Sequence, residues 1–325
     1  MKIIVVGHGM VGHKFLEELH QLQLPQVEVT VLCEEPRAAY DRVHLSEFFS
    51  GKSADDLSLV EPGFFEKSGF SLRLKARAVA IERRNNTVTT ADGEVLSYDK
   101  LVLATGSIPF VPSVPGRDRP HCFVYRTIED LEAMQASGAR SKTGVVIGGG
   151  LLGLECAKAL RDLGLQTHVV EFAPRLMAVQ VDDGGGKVLR TKIEALGVQV
   201  HTGRNTVEIT DGASARHRMV FADGTYLETD MIVFSAGIRP RDDLARQCLL
   251  AVGPRGGVAI DSACRTSDHD VYAIGECASW NEQTFGLVAP GYDMARVAAR
   301  HIAGEANAAF VGADMSTKLK LMGVD

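Results

Sequence analysis

Two glycine-rich segments with the same spacing are the residues of this chain best suited to chemistry with a charged small molecule. One reads GHGMVG over residues 7–12 and the other GGGLLG over residues 148–153, and each directly follows a short apolar run. In a G-x-G-x-x-G pattern the first glycine makes a tight turn, the second lets phosphates approach the backbone, and the third lets a helix pack on the strand. The N-terminus of that helix faces the phosphates with about half a positive charge. Each segment therefore predicts a dinucleotide site.

An acidic residue follows each of these fingerprints at the end of the next apolar run. Glu34 comes after residues 27–32, and Glu171 ends the run at residues 166–171. A carboxylate in this position accepts hydrogen bonds from ribose hydroxyls and repels a 2′-phosphate, so the second site is expected to prefer NAD(H) to NADP(H). The alternative for either residue is an exposed charge at a strand end. One fingerprint is weakly diagnostic, but two with their acids predict two dinucleotides, one a flavin and the other a nicotinamide, in an electron relay.

A third acidic residue stands at the end of a later apolar strand. Residues 273–276 read Ala-Ile-Gly-Glu, and we expect Glu276 to lie over the start of a helix. An acid there can bind a ribityl hydroxyl of FAD while the helix dipole faces the flavin. The alternative is a simple helix cap.

The elements required to position these residues are present in both halves of the chain. The order in each half is fingerprint, acid, antiparallel meander with an Asp-Gly turn, and a buried strand that ends in a small residue and glycine. The first meander is expected over residues 71–83, 86–91 and 94–97. Apolar periodicity predicts strands at residues 2–6, 27–32, 100–104, 144–147, 166–171, 198–202, 206–211, 216–221 and 231–235, and helices at 10–22, 127–137, 151–163, 183–196 and 291–303.

This repeated order predicts an α/β fold with two Rossmann-like, three-layer dinucleotide-binding domains, each carrying a small antiparallel meander. Proline-rich and glycine-rich stretches mark the linkers. We expect residues 1–112 and 244–310 to form the FAD-binding domain and residues 113–243 the NAD-binding domain. Residues 311–325 are expected to be the start of a C-terminal domain that is cut short, or a tail.

Composition excludes several other classes of function. The net charge is −6 and the pI about 5.9, so no electrostatic footprint for nucleic acid is present. No apolar stretch approaches the ~18–20 residues that span a bilayer, and a soluble cytoplasmic protein is expected. The six cysteines form no C-x-x-C pair, which excludes a zinc site, an iron–sulfur cluster and a redox dithiol. Three neighbouring histidines, His8, His13 and His20, lack metal-ligand spacing and are expected at the solvent or at the edge of a site.

With these motifs, the chain resembles the pyridine nucleotide–disulfide oxidoreductase superfamily over essentially its whole length. Within it, the resemblance is closest to the rubredoxin reductase-like branch and, more narrowly, to the N-terminal flavoprotein module of the family of NADH-dependent nitrite reductase large subunits. Long segments carry the resemblance, at residues 33–36, 40–46, 104–106, 123–130, 149–155, 235–241, 272–280, 288–292 and 318–321.

The resemblance implies a glutathione reductase-like fold that binds FAD and NADH. The residues implied for FAD are Gly7, Gly9, Met10, Val11, Gly12, Glu34, Arg42, Val79, Thr105, Gly106, Arg126, Gly275 and Glu276. The residues implied for NADH are Gly149, Gly150, Leu151, Leu152, Gly153, Glu171 and Gly237. Glu155 is implied as the catalytic residue near flavin and nicotinamide, where it would orient the nicotinamide or tune the flavin. The alternative for Glu155 is a carboxylate on the face of a helix.

The chain also departs from the superfamily pattern. Glu47 stands where many relatives have a lysine close to the flavin, a role that Lys52 could take over, and Glu276 stands where many have aspartate. Neither the cysteine pair nor the single cysteine that other members place beside the flavin is present, so electrons must leave FAD by another route.

The resemblance implies an NADH dehydrogenase (diaphorase) module that passes electrons from FAD to a downstream iron–sulfur and sirohaem domain or redox protein. It allows a homodimer. The alternatives are an electron-transfer subunit for nitrate reductase, a rubredoxin reductase, and a redox sensor without enzymatic turnover.

Overall fold

Each glycine fingerprint lies between a strand and a helix in the computed structural model, which describes residues 1–316. The chain divides into two units. The first contains residues 1–41, 57–108 and 239–315, and the second contains residues 42–56 and 109–238 together with Ser316. Residues 317–325, and with them the 318–321 motif and most of the expected C-terminal segment, lie outside the described residues.

Strands and helices alternate along much of the chain. The strands are β1 (Lys2–Val6), β2 (Glu28–Leu32), β3 (Ser71–Arg73), β4 (Ala78–Glu82), β5 (Thr87–Thr90), β6 (Val95–Ser97), β7 (Lys100–Leu103), β8 (Ser107–Pro109), β9 (Cys122–Val124), β10 (Thr143–Ile147), β11 (Gln166–Glu171), β12 (Gln199–Thr202), β13 (Thr206–Asp211), β14 (His217–Phe221), β15 (Tyr226–Thr229), β16 (Met231–Phe234), β17 (Ile238–Pro240), β18 (Val258–Ile260), β19 (Val271–Ala273), β20 (Ala278–Trp280) and β21 (Gln283–Thr284). The helices are α1 (Met10–Gln21), α2 (Phe64–Ser68), α3 (Ile128–Gly138), α4 (Leu151–Asp162), α5 (Asp183–Ala195), α6 (Asp243–Gln247) and α7 (Val288–Ile302), with 3₁₀ helices at Leu45–Ser50 and Gly275–Cys277.

The first unit is built on a parallel sheet with the strand order β19-β7-β1-β2-β3. The fingerprint strand β1 is central, and Val5 pairs with Val31 on one side and Val102 on the other. Its apolar side chains are fully buried, as expected for a parallel sheet that is covered on both faces. Helices α1 and α7 pack closely on each other.

The second unit repeats this arrangement with the strand order β12-β11-β10-β16-β9. Its fingerprint strand β10 is again central, and Val146 pairs with Val169 and Val233. Each unit also contains an antiparallel meander, β4-β5-β6 in the first and β13-β14-β15 in the second. The predicted α/β fold with a repeated order of elements is therefore confirmed.

Two of the differences from the sequence-based expectation concern edge strands of the parallel sheets. The segment 71–83 was expected to be one strand of the first meander, but residues 71–73 are the parallel edge strand β3 and the meander starts at Ala78. The chain turns between them, where Lys75 has φ +56° and its N–H donates to the Glu35 carbonyl. The second is β9, which sequence analysis missed because it is three residues long and lies in a proline-rich stretch.

Within residues 1–316, no helix combines the length and the apolar character needed to cross a membrane.

Candidate functional site

The first fingerprint forms a tight turn that opens onto space at its middle glycine. Gly7 has φ +106°, and a Cβ there would lie 2.2 Å from the Ala104 carbonyl oxygen. A Cβ on Gly12 would lie 2.3 Å from the Gly7 carbonyl oxygen, whereas a Cβ on Gly9 would meet nothing within 4 Å. Gly7 and Gly12 are thus required by the packing of the protein itself. Gly9 is not required by this packing, and the open space beside it is what an approaching phosphate requires.

The second fingerprint has the same geometry. Gly148 has φ +125°, and a Cβ there would lie 2.2 Å from the Ser235 carbonyl oxygen. A Cβ on Gly153 would lie 2.0 Å from the Gly148 carbonyl oxygen, and one on Gly150 would meet nothing within 4 Å.

Both helices that start at the fingerprints are left without side-chain caps. The N-cap residues are Gly9 for α1 and Gly150 for α4, neither makes a side-chain hydrogen bond, and neither first turn contains an acid. The first N–H groups of a helix have no partner within the helix, and with the helix dipole they bind anions. A dinucleotide pyrophosphate therefore fits both cradles.

Glu171 is held against the second fingerprint by two backbone groups. One carboxylate oxygen accepts from the Gly149 N–H at 2.5 Å and the other from the Ala173 N–H at 2.6 Å. Arg175, the nearby cation that could have attracted a 2′-phosphate, is instead bound to Asp183 at 2.8 Å. Glu171 therefore presents a fixed carboxylate at the end of β11.

Glu34 occupies the corresponding place after β2, and it is bound by an arginine that sequence analysis did not single out. Arg241 donates two hydrogen bonds to the Glu34 carboxylate, at 2.6 and 2.7 Å. The two residues are 207 positions apart, so no local pattern could have revealed the pair.

Glu276 lies in a short turn beside the start of a longer helix. A single 3₁₀ turn, Gly275–Cys277, follows the strand β19, because Ala278 returns to the extended conformation. The first turn of α7 comes close to it, since a Cβ on Gly291 would lie 3.1 Å from the Gly275 Cα. The Glu276 carboxylate accepts a hydrogen bond from the Ser107 hydroxyl at 2.7 Å.

The long helix near this position is α7, which starts at Val288 rather than at the expected residue 291. A Cβ on Gly291 would lie 2.5 Å from Val11 Cγ2, and one on Gly275 would lie 3.2 Å from the same side chain. The three residues therefore pack at the start of α1. Gly291 lies in a segment that carries the family resemblance, but its packing role was not apparent from sequence.

The remaining predicted site residues of the second unit lie on separate elements. Glu155 is half-buried on α4, and its charge adds to burial and Cys156 in raising the pKa of Tyr125. Arg42 donates to the Arg126 carbonyl oxygen at 2.9 Å, and Gly237 has φ +114°.

Two further residues were expected near FAD. Val79 lies on β4 of the first meander and is 38% exposed. Lys52 forms an ion pair with Glu47 at 2.5 Å, so the lysine is paired with the acid that replaces the family's usual lysine.

The neighbouring histidines were expected at the solvent or at the edge of a site, and two of them do not face solvent. His8 and His13 are 4% and 3% exposed, because Phe65 and Phe64 pack against their rings. His8 Nδ1 accepts from the Ala39 N–H at 3.1 Å. Burial, with a smaller contribution from His13, lowers the pKa of His8 to about 3.

None of the six cysteines, all of which lie within the described residues, forms a disulfide. Four are buried, whereas Cys122 and Cys248 are half-buried. Burial raises the pKa of every thiol for which a shift is resolved, including the fully buried Cys156 and Cys277. These groups therefore remain protonated near neutral pH.

Comparison with known proteins assigns the chain to a family. The sequence profile of pyridine nucleotide-disulphide oxidoreductases matches residues 1–301. The nitrite reductase (NADH) large subunit of Escherichia coli (strain K12) is 57% identical over 327 residues, which cover 100% of this chain and 38% of that protein. The nitrite reductase [NAD(P)H] large subunit of Klebsiella oxytoca is 58% identical and covers 99% and 34%, respectively. The predicted resemblance to nitrite reductase large subunits is confirmed.

A solved structure agrees with this assignment. The NAD-dependent persulfide reductase from A. fulgidus has a TM-score of 0.90 and 26% identity, with 99% of this chain and 62% of that chain covered. The present chain spans little more than a third of the length of the two nitrite reductase subunits. On the family profile and these likenesses, the chain belongs to the pyridine nucleotide-disulphide oxidoreductase family.

Proposed function

We propose that this chain is an NADH-oxidising flavoprotein module that binds FAD in its first unit and NADH in its second. The observation that carries the proposal is the pair of identical cradles, in which Gly9 and Gly150 open onto space at the uncapped N-termini of two helices. Each unit thus offers backbone N–H groups and a helix dipole to one pyrophosphate.

FAD is assigned to the first unit by the residues around its fingerprint. The turn at residues 7–12 would receive the pyrophosphate, and Glu34 would accept from the ribose hydroxyls of the adenosine. Thr105–Gly106 and Gly275–Glu276, which end the neighbouring strands β7 and β19, would complete the site from the carboxyl edge of the sheet. Ligands of open α/β sheets bind at that edge.

NADH is assigned to the second unit because of Glu171. Its carboxylate is fixed by the Gly149 and Ala173 N–H groups, so it cannot easily move away from an added phosphate. A 2′-phosphate would face this negative charge, and the nearby Arg175 is already engaged by Asp183. The fingerprint residues 149–153 and Gly237 would hold the rest of the nucleotide.

Bound together, NADH and FAD supply hydride transfer from the nicotinamide to the flavin, and the protein supplies binding, orientation and field. Glu155 is the side chain we propose to orient the nicotinamide or tune the flavin. A thiol relay is not supported, because burial keeps Cys156 and Cys277 protonated. Electrons would therefore leave the flavin for an acceptor outside the described residues.

The proposed acceptor is an iron–sulfur or sirohaem centre of a downstream domain or partner protein. The 57% identity to a nitrite reductase (NADH) large subunit supports this, as that protein extends well beyond the region matched. Six free thiols suit a reducing compartment, so we place the module in the cytoplasm. A homodimer remains part of the proposal.

Steady-state turnover with an artificial acceptor tests this function. The protein reconstituted with FAD should reduce ferricyanide with NADH, and much more slowly with NADPH. The Gly150→Ala variant is the matched control, because it should raise the KM for NADH about tenfold while retaining FAD. A protein that binds FAD and forms a long-lived complex with NADH without turnover would instead be a redox sensor, and would contradict the proposal.

A further inference from the structure

A charge pair with two short hydrogen bonds at the proposed FAD site lies outside the fingerprint. Arg241 Nη1 and Nη2 donate to Glu34 Oε1 and Oε2 at 2.6 and 2.7 Å, in the two-pronged geometry typical of strong arginine–carboxylate pairs. Arg77 is more distant, with its Nε 3.7 Å from the same carboxylate. The side chains of Arg241 and Glu34 are 29% and 38% exposed, so the pair is partly shielded from solvent.

The backbone of Arg241 is attached to a second segment of the same site. Its N–H donates to the Gly106 carbonyl oxygen at 2.9 Å, and its carbonyl oxygen accepts from the Thr105 hydroxyl at 2.7 Å. The next residue, Asp242, is buried and accepts from the Gly257 N–H at 2.7 Å. Arg241 is thereby fixed to the end of β7 while its side chain reaches the end of β2.

We propose that Arg241 is a positioning residue for the adenosine ribose of FAD, acting through Glu34. This rests on the proposed function. Two parallel hydrogen bonds fix the plane of the carboxylate. They thereby set the direction from which it can accept a hydrogen bond from a ribose hydroxyl.

Arg241 also compensates negative charge next to an anionic ligand. The hydrogen bonds that Arg241 donates to Glu34, together with the charges of Glu34, Asp243 and Glu35, raise the pKa of Arg241 against the opposing effect of burial. Without the guanidinium these carboxylates would repel the pyrophosphate of FAD. The arginine thus makes an acidic ribose ligand compatible with a phosphate-binding turn.

Equilibrium binding to the apoprotein tests this role with three probes. FAD and FMN are followed by quenching of their fluorescence, and ADP by its competition with FAD. Arg241→Met should raise the Kd for FAD and for ADP by about tenfold, the loss expected for a charge-assisted hydrogen-bonded pair. The Kd for FMN, which lacks the adenosine, should change by less than about twofold. Arg241→Lys should give an intermediate loss, because lysine keeps the charge without the planar fork.

Two further variants separate positioning from general disruption. Arg77→Met removes a charge near Glu34 without removing a short hydrogen bond. It should therefore leave the Kd values for FAD, FMN and ADP within about twofold of the wild-type values. In a Glu34→Gln background, Arg241→Met should add less than about twofold, because residues that act through one another are not additive.

The outcomes separate this inference from the proposed function. Equal losses for FMN and FAD, full additivity with Glu34→Gln, or no change in Kd would each overturn the role of Arg241 while leaving FAD binding intact. A wild-type protein that cannot bind FAD would overturn the proposed function itself. If Arg241→Met does not fold, Arg241→Lys and its combination with Glu34→Gln carry the same test.

Discussion

The two outer glycines and the middle glycine of the first fingerprint should respond differently to the same added methyl group. A Cβ on Gly12 would lie 2.3 Å from the Gly7 carbonyl oxygen, against an ordinary contact of 3.4–4 Å, so helix and turn must separate by about 1 Å. Overpacking of this kind costs about 2 kcal/mol, which lowers the melting temperature by roughly 4–8 °C for a domain of this size. Gly12→Ala is therefore expected to destabilise the apoprotein.

Gly9→Ala should leave the fold intact and impair FAD binding. Gly9 has φ −90° and ψ −166°, an extended conformation that alanine adopts without strain, and its Cβ meets no atom within 4 Å. The loss of apoprotein stability should stay below about 1 kcal/mol. The Kd for FAD should rise at least about tenfold, because the methyl group occupies the space where the pyrophosphate approaches.

Thermal unfolding of the two apoproteins and fluorescence titration with FAD measure both effects. Alanine at Gly9 with wild-type FAD affinity would refute the assignment of this turn to the pyrophosphate. Alanine at Gly12 with wild-type stability would refute the packing argument on which the assignment depends.

Three further predictions follow from the same contacts. Gly150→Ala should raise the KM for NADH about tenfold with unchanged FAD content. Gly153→Ala should instead lower the melting temperature, because its Cβ would lie 2.0 Å from the Gly148 carbonyl oxygen. The reverse pattern would contradict the assignment. Glu171→Gln should reduce the ratio of kcat/KM for NADH to that for NADPH, because it removes the charge that repels a 2′-phosphate, and an unchanged ratio would count against that role. Burial lowers the pKa of His8 from 6.5 to about 3. Between these two pH values the unfolded chain binds more protons than the folded protein, so the free energy of unfolding falls as the pH drops from 6.5 towards 3. At pH 5, relative to pH 7.5, His8→Asn should therefore avoid about 2 kcal/mol of destabilisation in urea unfolding, and a variant as acid-sensitive as the wild type would exclude His8 as the cause.

Local patterns were sufficient to predict the two Rossmann-like units. A glycine fingerprint, its flanking strand and helix, and the acid after the next strand are all set by short stretches of sequence. The paired cradles at Gly9 and Gly150 follow from those stretches alone, whereas the strand order of the two sheets does not, because their edge strands β3 and β9 were not predicted.

Contacts between distant segments could not be predicted in this way. Arg241 reaches Glu34 across 207 positions, and Gly291 packs against Val11 through the approach of α7 to α1. For His8 the sequence left solvent and the edge of a site as alternatives, because it does not show that Phe65 covers the ring.

Short elements were also missed or misjudged. Tertiary context decides such elements more than local propensity does, as in the edge strand β3 and the single turn at Glu276.

Anaerobic absorbance titration of the FAD-loaded protein tests the central claim most directly. The account predicts that about one equivalent of NADH bleaches the visible flavin band, that NADPH does so poorly, and that ferricyanide restores the band. A protein that cannot be loaded with FAD, or whose bound flavin is not reduced by excess NADH, would contradict the relay and leave a dinucleotide-binding scaffold.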